Sequence, residues 1–143
     1  MIQAEALTGK EGAKAMATVL SMPDACYPGC PYAYHYVMEA LLKCGMRQEA
    51  RSLLTSYWGG MVNKGADTFW EVYDPNNDEL SPYGFFPINS YCHAWSCTPV
   101  YFINKYPEIF QRSKIIRETP LSLEMARIGV FFFLFLHRFP EQG

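Results

Sequence analysis

The sequence predicts an all-α chain of paired helices. Three stretches repeat apolar residues at helical spacing. A proline and a glycine bracket the second of them. The link from the second stretch to the third is so short that the two must form an antiparallel αα-hairpin.

The first helix is expected over residues 10–20, with Ala13, Met16, Ala17 and Leu20 at i, i+3, i+4 and i+7. The second starts near Pro31, which suits the first helical position because its missing N–H would have no partner there. Its stripe is Tyr34, Val37, Met38, Leu41 and Leu42, and Gly45 supplies the stop. The third carries Ala50, Leu53, Leu54, Tyr57, Trp58 and Met61, with Gly59, Gly60 and Gly65 loosening its end. Residues 65–90 show no helical period, and Pro75, Pro82 and Pro87 among Asp and Asn predict a loop. So long a loop in a compact domain is uncommon and is usually functional or disordered. Its aromatic residues (Phe69, Trp70, Tyr73, Tyr83, Phe85, Phe86) argue against disorder. A fourth helix is expected over 93–103, with Pro99 as a kink or a late start. After Pro107 the chain changes character. Thr119-Pro120 reads as the cap of a short helix over 121–128, and residues 130–136 are apolar on every side.

A length of 143 residues fits one domain, able to bury roughly 68–70% of its unfolded surface. Half of the residues are hydrophobic, which excludes a disordered tail. A net charge of −2 makes nucleic acid a poor partner. Aromatic residues reach 16%, while charged residues are 18% against a typical ~25%. A solitary domain with so few charges has little with which to cover its surface. The N-terminus shows no signal peptide. The longest uncharged apolar run, Ile128 to Leu136, is nine residues, and a spanning helix needs ~20. A cytoplasmic protein without a membrane partner is expected. The five cysteines, an odd count, are then expected to be reduced.

Two clusters can carry chemistry. Gly65-Ala66-Asp67-Thr68-Phe69-Trp70-Glu71 sets a carboxylate beside two large aromatics just after a helix. An aromatic wall would desolvate Glu71, raise its pKa and favour acid–base work near neutrality. The commoner arrangement for such a composition has Glu71 in solvent and Phe69 and Trp70 in the core. The second cluster is Cys92-His93-Ala94-Trp95-Ser96. There His93 can donate to a hydroxyl or carboxylate and Trp95 can stack on a sugar. Taken alone, such a His is more often a cap or a satisfied core residue.

Together with Tyr57-Trp58-Gly59-Gly60-Met61, Pro31-Tyr32-Ala33-Tyr34 and Glu39-Ala40-Leu41, these clusters resemble the catalytic domain of bacterial α-L-rhamnosidases. That family is glycoside hydrolase family 78, whose catalytic domain is a six-hairpin (α/α) toroid. The resemblance spans residues 4–106 and covers only the last hairpins. It implies a partial (α/α)6 toroid over residues 1–106, followed by a divergent or truncated segment over 107–143. It also implies inverting hydrolysis of terminal α-L-rhamnosides by two carboxyl groups roughly 6.5–9.5 Å apart, with no cofactor. Glu71 matches the general base, and Trp70, His93 and Trp95 match positions lining the rhamnose pocket. The family's general acid comes from an earlier acidic region. Glu5, Glu11 and Asp24 do not match it, so the implied partners are a rhamnose-containing glycoside and a missing N-terminal part of the same domain. Asp67 and Cys97-Thr98 depart from the family pattern, and residues from Gln111 onward do not resemble its following β-sandwich.

Two other readings fit the residues. One is an inactive carbohydrate-binding fragment. The other is a small zinc module using Cys26-x3-Cys30 and Cys92-x4-Cys97, although such cysteines are more often buried apolar residues. Asp74-x-Asn76-x-Asp78 resembles the start of a calcium loop, but Glu79 stands where glycine is needed, so a solvated turn is expected.

Overall fold

The computed structural model describes residues 1–110. The expected helix over 121–128 and the apolar run 130–136 lie outside the described residues. Helices and no strands make up the described residues: α1 (Gly9–Ser21), α2 (Pro31–Lys43), α3 (Arg47–Asn63), α4 (Thr98–Lys105) and α5 (Pro107–Phe110). Single 3-10 turns at Phe86–Ile88 and Ala94–Ser96 punctuate the loop between α3 and α4. The all-α class read from periodicity therefore holds among the described residues.

Helices α2 and α3 form the expected hairpin. Gly45, at φ +77°, takes the left-handed conformation that ends α2. The Met46 N–H then donates to the Leu41 carbonyl at 2.9 Å and the Gly45 N–H to that of Leu42 at 3.0 Å. The same pair of bonds closes α3 at Gly65, φ +93°, from Ala66 to Met61 and from Gly65 to Val62. Two adjacent helices thus stop by one device, and each stop fixes where the chain turns. Tyr34, Met38 and Leu41 from α2 interlock with Ala50, Leu54, Tyr57, Trp58 and Met61 from α3. Phe102 of α4 and Ile109 and Phe110 of α5 complete the core. Arg51 donates to the Ile109 carbonyl at 2.9 Å, tying α5 to α3. Residues 107–110, where the sequence changes character, are therefore packed in the same core.

Three expectations need correction. Gly59 and Gly60 do not loosen α3, which runs on to Asn63. Gly60 lies under the Tyr73 ring, whose Cζ would stand 3.1 Å from an added Cβ, so packing rather than helix termination requires glycine there. The fourth helix starts at Thr98, with Pro99 in its first turn, because residues 94–96 form a separate 3-10 turn. Along α1, Gly12 is the buried residue, and Leu20 from the expected stripe is 52% exposed.

The two glycines of α3 give a paired expectation. Gly60→Ala forces the Tyr73 ring aside and should destabilise by about 1–3 kcal/mol. A Cβ on Gly59 meets nothing within 4 Å, so Gly59→Ala should stabilise by about 0.5–1 kcal/mol through helix propensity. Urea unfolding of both variants measures the difference, and equal effects would contradict the packing account.

Candidate functional site

The turn at Gly65 delivers the chain to residues 68–71, which are laced to residues 90–96. The Glu71 N–H donates to the Ser90 carbonyl at 2.9 Å and the His93 N–H to that of Phe69 at 2.7 Å. The Thr68 hydroxyl bonds the Tyr91 carbonyl. The Ser96 hydroxyl donates to the Trp70 carbonyl at 2.6 Å, and the Trp58 indole donates to the Ser96 carbonyl at 3.2 Å. The buried Trp58 of α3 is thereby joined, through Ser96, to the segment that carries the acidic residue.

Glu71 does not point to solvent: it is buried, at 4% exposure. Its Oε1 accepts from the Tyr83 hydroxyl. Its Oε2 accepts from the Ser90 N–H at 2.9 Å and lies 3.9 Å from His93 Nδ1, an ion pair when the imidazole is protonated. The His93 ring is 4.4 Å from the Trp95 ring, which continues to Tyr32 at 5.6 Å. Glu71, His93 and Trp95 are thus brought into one row, with Trp95 open to solvent.

Trp70 has other neighbours. Its ring meets Tyr73 and Tyr91 edge-on at 6.2 and 5.4 Å. It lines a cavity whose wall does not include Glu71, His93 or Trp95. Sequence reasoning missed Tyr83 and Ser90. The only signal for Tyr83 was its place between Pro82 and Gly84, residues that mark a tight turn able to fold a hydroxyl back.

The expected rise in the Glu71 pKa is also corrected. The Tyr83 hydrogen bond, then the Ser90 N–H, hold the carboxyl below its ordinary value, outweighing desolvation, and nearby His93 adds to the lowering. The cover over the carboxylate is thin, since Tyr83 is itself 54% exposed. Glu71 is consequently ionised at neutral pH. A carboxylate offers about four lone-pair sites, so those left over can accept a proton from water.

A carboxyl whose pKa is lower folded than unfolded stabilises the fold above the unfolded value, about 4.3 for Glu. That contribution is lost as pH falls through the folded value. Tyr83→Phe removes the largest cause and should move the Glu71 titration upward. A carboxyl-carbon NMR titration reads this, and an unmoved midpoint would show that the bond is not made in solution.

Among the described residues no group of three or more His, Cys, Asp or Glu gathers to hold a metal ion. All five cysteines are unpaired. Asp74 accepts from the Asn76 N–H at 2.8 Å and Asn77 from the Glu79 N–H at 3.0 Å, which makes the calcium-like stretch a pair of side-chain-capped turns. No helix among the described residues is long and apolar enough to cross a membrane.

The long loop between α3 and α4 thus sets a buried carboxylate beside an imidazole and an open indole. Comparison with known proteins gives the class. No family model matches the chain, and no curated protein does. Among solved structures, the chain is similar to a rhamnosidase from Klebsiella oxytoca with rhamnose bound. The two share 46% identity over 74% of this chain, with a TM-score of 0.69. The chain is therefore rhamnosidase-like, as its motifs indicated. It spans 21% of the length of that rhamnosidase.

Proposed function

We propose that this chain carries the general-base side of an inverting α-L-rhamnosidase site of glycoside hydrolase family 78. Residues 1–106 are the last hairpins of its toroid and residues 107–143 a divergent end. The observation that carries this reading is the held, ionised Glu71 carboxylate beside His93 and Trp95. In that role Glu71 takes a proton from the water that attacks the anomeric carbon, while an acid on the opposite face of the sugar protonates the leaving oxygen. His93 orients the carboxylate and meets a sugar hydroxyl. Trp95 offers an indole face to the apolar side of the ring. Trp70, which the resemblance sets in the rhamnose pocket, turns its ring to the neighbouring cavity instead. The substrate is a terminal α-L-rhamnoside. The acid belongs to a part of the domain that this chain does not carry.

Two assays test this. The 143-residue chain alone should not cleave an aryl α-L-rhamnoside. A chimaera with residues 4–106 in place of the matching stretch of the Klebsiella oxytoca rhamnosidase should cleave it. Hydrolysis by the chain alone would sink the incomplete-site reading. A folded but inactive chimaera would sink the catalytic one.

A further inference from the structure

The cavity lined by Trp70 has a volume of about 380 Å³, within the range of about 300–1,000 Å³ that small-molecule pockets occupy. Its walls come from three stretches of the long loop (70–74, 77–80 and 89–91) and from Lys64 at the end of α3. We propose that it is a second sugar-binding site, distinct from the Glu71 group, that takes a neutral polyol the size of one pyranose ring.

Three features give the cavity this chemistry. First, the Trp70 and Tyr91 rings stand at 89° to each other, 5.4 Å apart, with Tyr73 beside Trp70. Perpendicular aromatic faces make an apolar corner against which the C–H face of a sugar ring can pack. Second, Asn89 lines the cavity with a divided side chain. Its Nδ2 is committed to the Leu80 carbonyl at 2.7 Å, while its Oδ1 is buried with no hydrogen-bond partner among the described residues. A buried acceptor left unpaired is costly, and a ligand hydroxyl supplies the missing donor. Third, the remaining polar wall accepts more than it donates. Asp74 and Asp78 are among its lining residues, and beyond the bonds from the Asn76 N–H and Lys64 their carboxylates keep spare acceptor capacity for sugar hydroxyls. Lys64 bridges Asp78 and also donates to the Pro75 carbonyl at 3.2 Å. That offsets part of the negative charge and favours a neutral ligand over an organic cation. The cavity shares Trp70 and Ser90 with the segment that holds Glu71, but none of its walls is Glu71, His93 or Trp95.

The test uses the full 143-residue chain with nitrogen-15 labelling. L-Rhamnose, D-glucose and D-mannose are titrated separately into the millimolar range. The three indole N–H signals (Trp58, Trp70 and Trp95) and the Asn89 side-chain amide report the place of binding. The expected result is a saturable shift of the Trp70 and Asn89 signals with at least one sugar, unchanged by His93→Ala. Tyr91→Ala, at an exposed wall position, should weaken it about tenfold, equivalent to about 1.4 kcal/mol. Asn89→Ala should abolish it. Because Asn89 also braces the loop through Leu80, the Tyr91 variant keeps the test decisive if Asn89→Ala does not fold. Shifts confined to Trp95 and lost with His93→Ala would overturn this site while supporting the rhamnosidase one. No shift of Trp70 or Asn89 with any sugar would show a cavity that holds only water, and would overturn it too.

Discussion

Glu71→Gln in the chimaera is expected to lower kcat on an aryl α-L-rhamnoside by about 10²- to 10⁴-fold, the usual worth of a positioned acid or base. KM should change little, because the substitution keeps shape and volume. Gln can accept from Tyr83 or from the Ser90 N–H but not from both, so one loop bond is lost while the Glu71 N–H bond to the Ser90 carbonyl remains. What Gln cannot do is take a proton from water. A loss smaller than about tenfold would place the base elsewhere. A large rise in KM with kcat preserved would make Glu71 a binding group instead. His93 sits 3.9 Å from the same carboxylate, so His93→Ala should affect both constants, which separates orientation from proton transfer.

Trp58→Ala should be the most damaging core substitution. Trp58 is 2% exposed and touches the Tyr34 and Tyr57 rings. Truncation of a buried Trp costs about 3–5 kcal/mol, a large share of the ~5–15 kcal/mol by which a domain is ordinarily stable. Trp58→Phe should be milder, losing mainly the bond to the Ser96 carbonyl, at about 1 kcal/mol. Urea unfolding of the two variants separates packing from hydrogen bonding. Equal losses would make the Ser96 bond, rather than the indole's bulk, the stabilising feature.

Much of the fold was legible because it follows from local rules. The stripes of α2 and α3 and the glycine stops at Gly45 and Gly65 are properties of neighbouring residues, and the structure keeps them. Gly60 misled because its requirement comes from Tyr73, thirteen residues away and across a turn. Leu20 misled because a stripe says only that a face is apolar, and not that a partner meets it. In the candidate site, motifs singled out Glu71 and His93, and the structure sets their side chains 3.9 Å apart. The direction of the Glu71 pKa was not legible, since it depends on donors from Tyr83 and Ser90 that no spacing near Glu71 announces. Trp70 adjoins Glu71 in sequence, yet its ring lines a different cavity. Adjacency along the chain does not fix which way a ring faces.

The lacing of residues 68–71 to 90–96 has a consequence for variation. The chain between these two stretches leaves and returns through a clamped neck, so its contour can change without moving the neck. Doubling a flexible loop costs only about 0.6 kcal/mol. Insertions between Pro75 and Ser81 should therefore be absorbed with the carboxylate and imidazole still in register, provided Tyr83 still reaches Glu71. Such a neck lets the outer contour of a binding surface be rewritten while the chemistry at its root stays fixed.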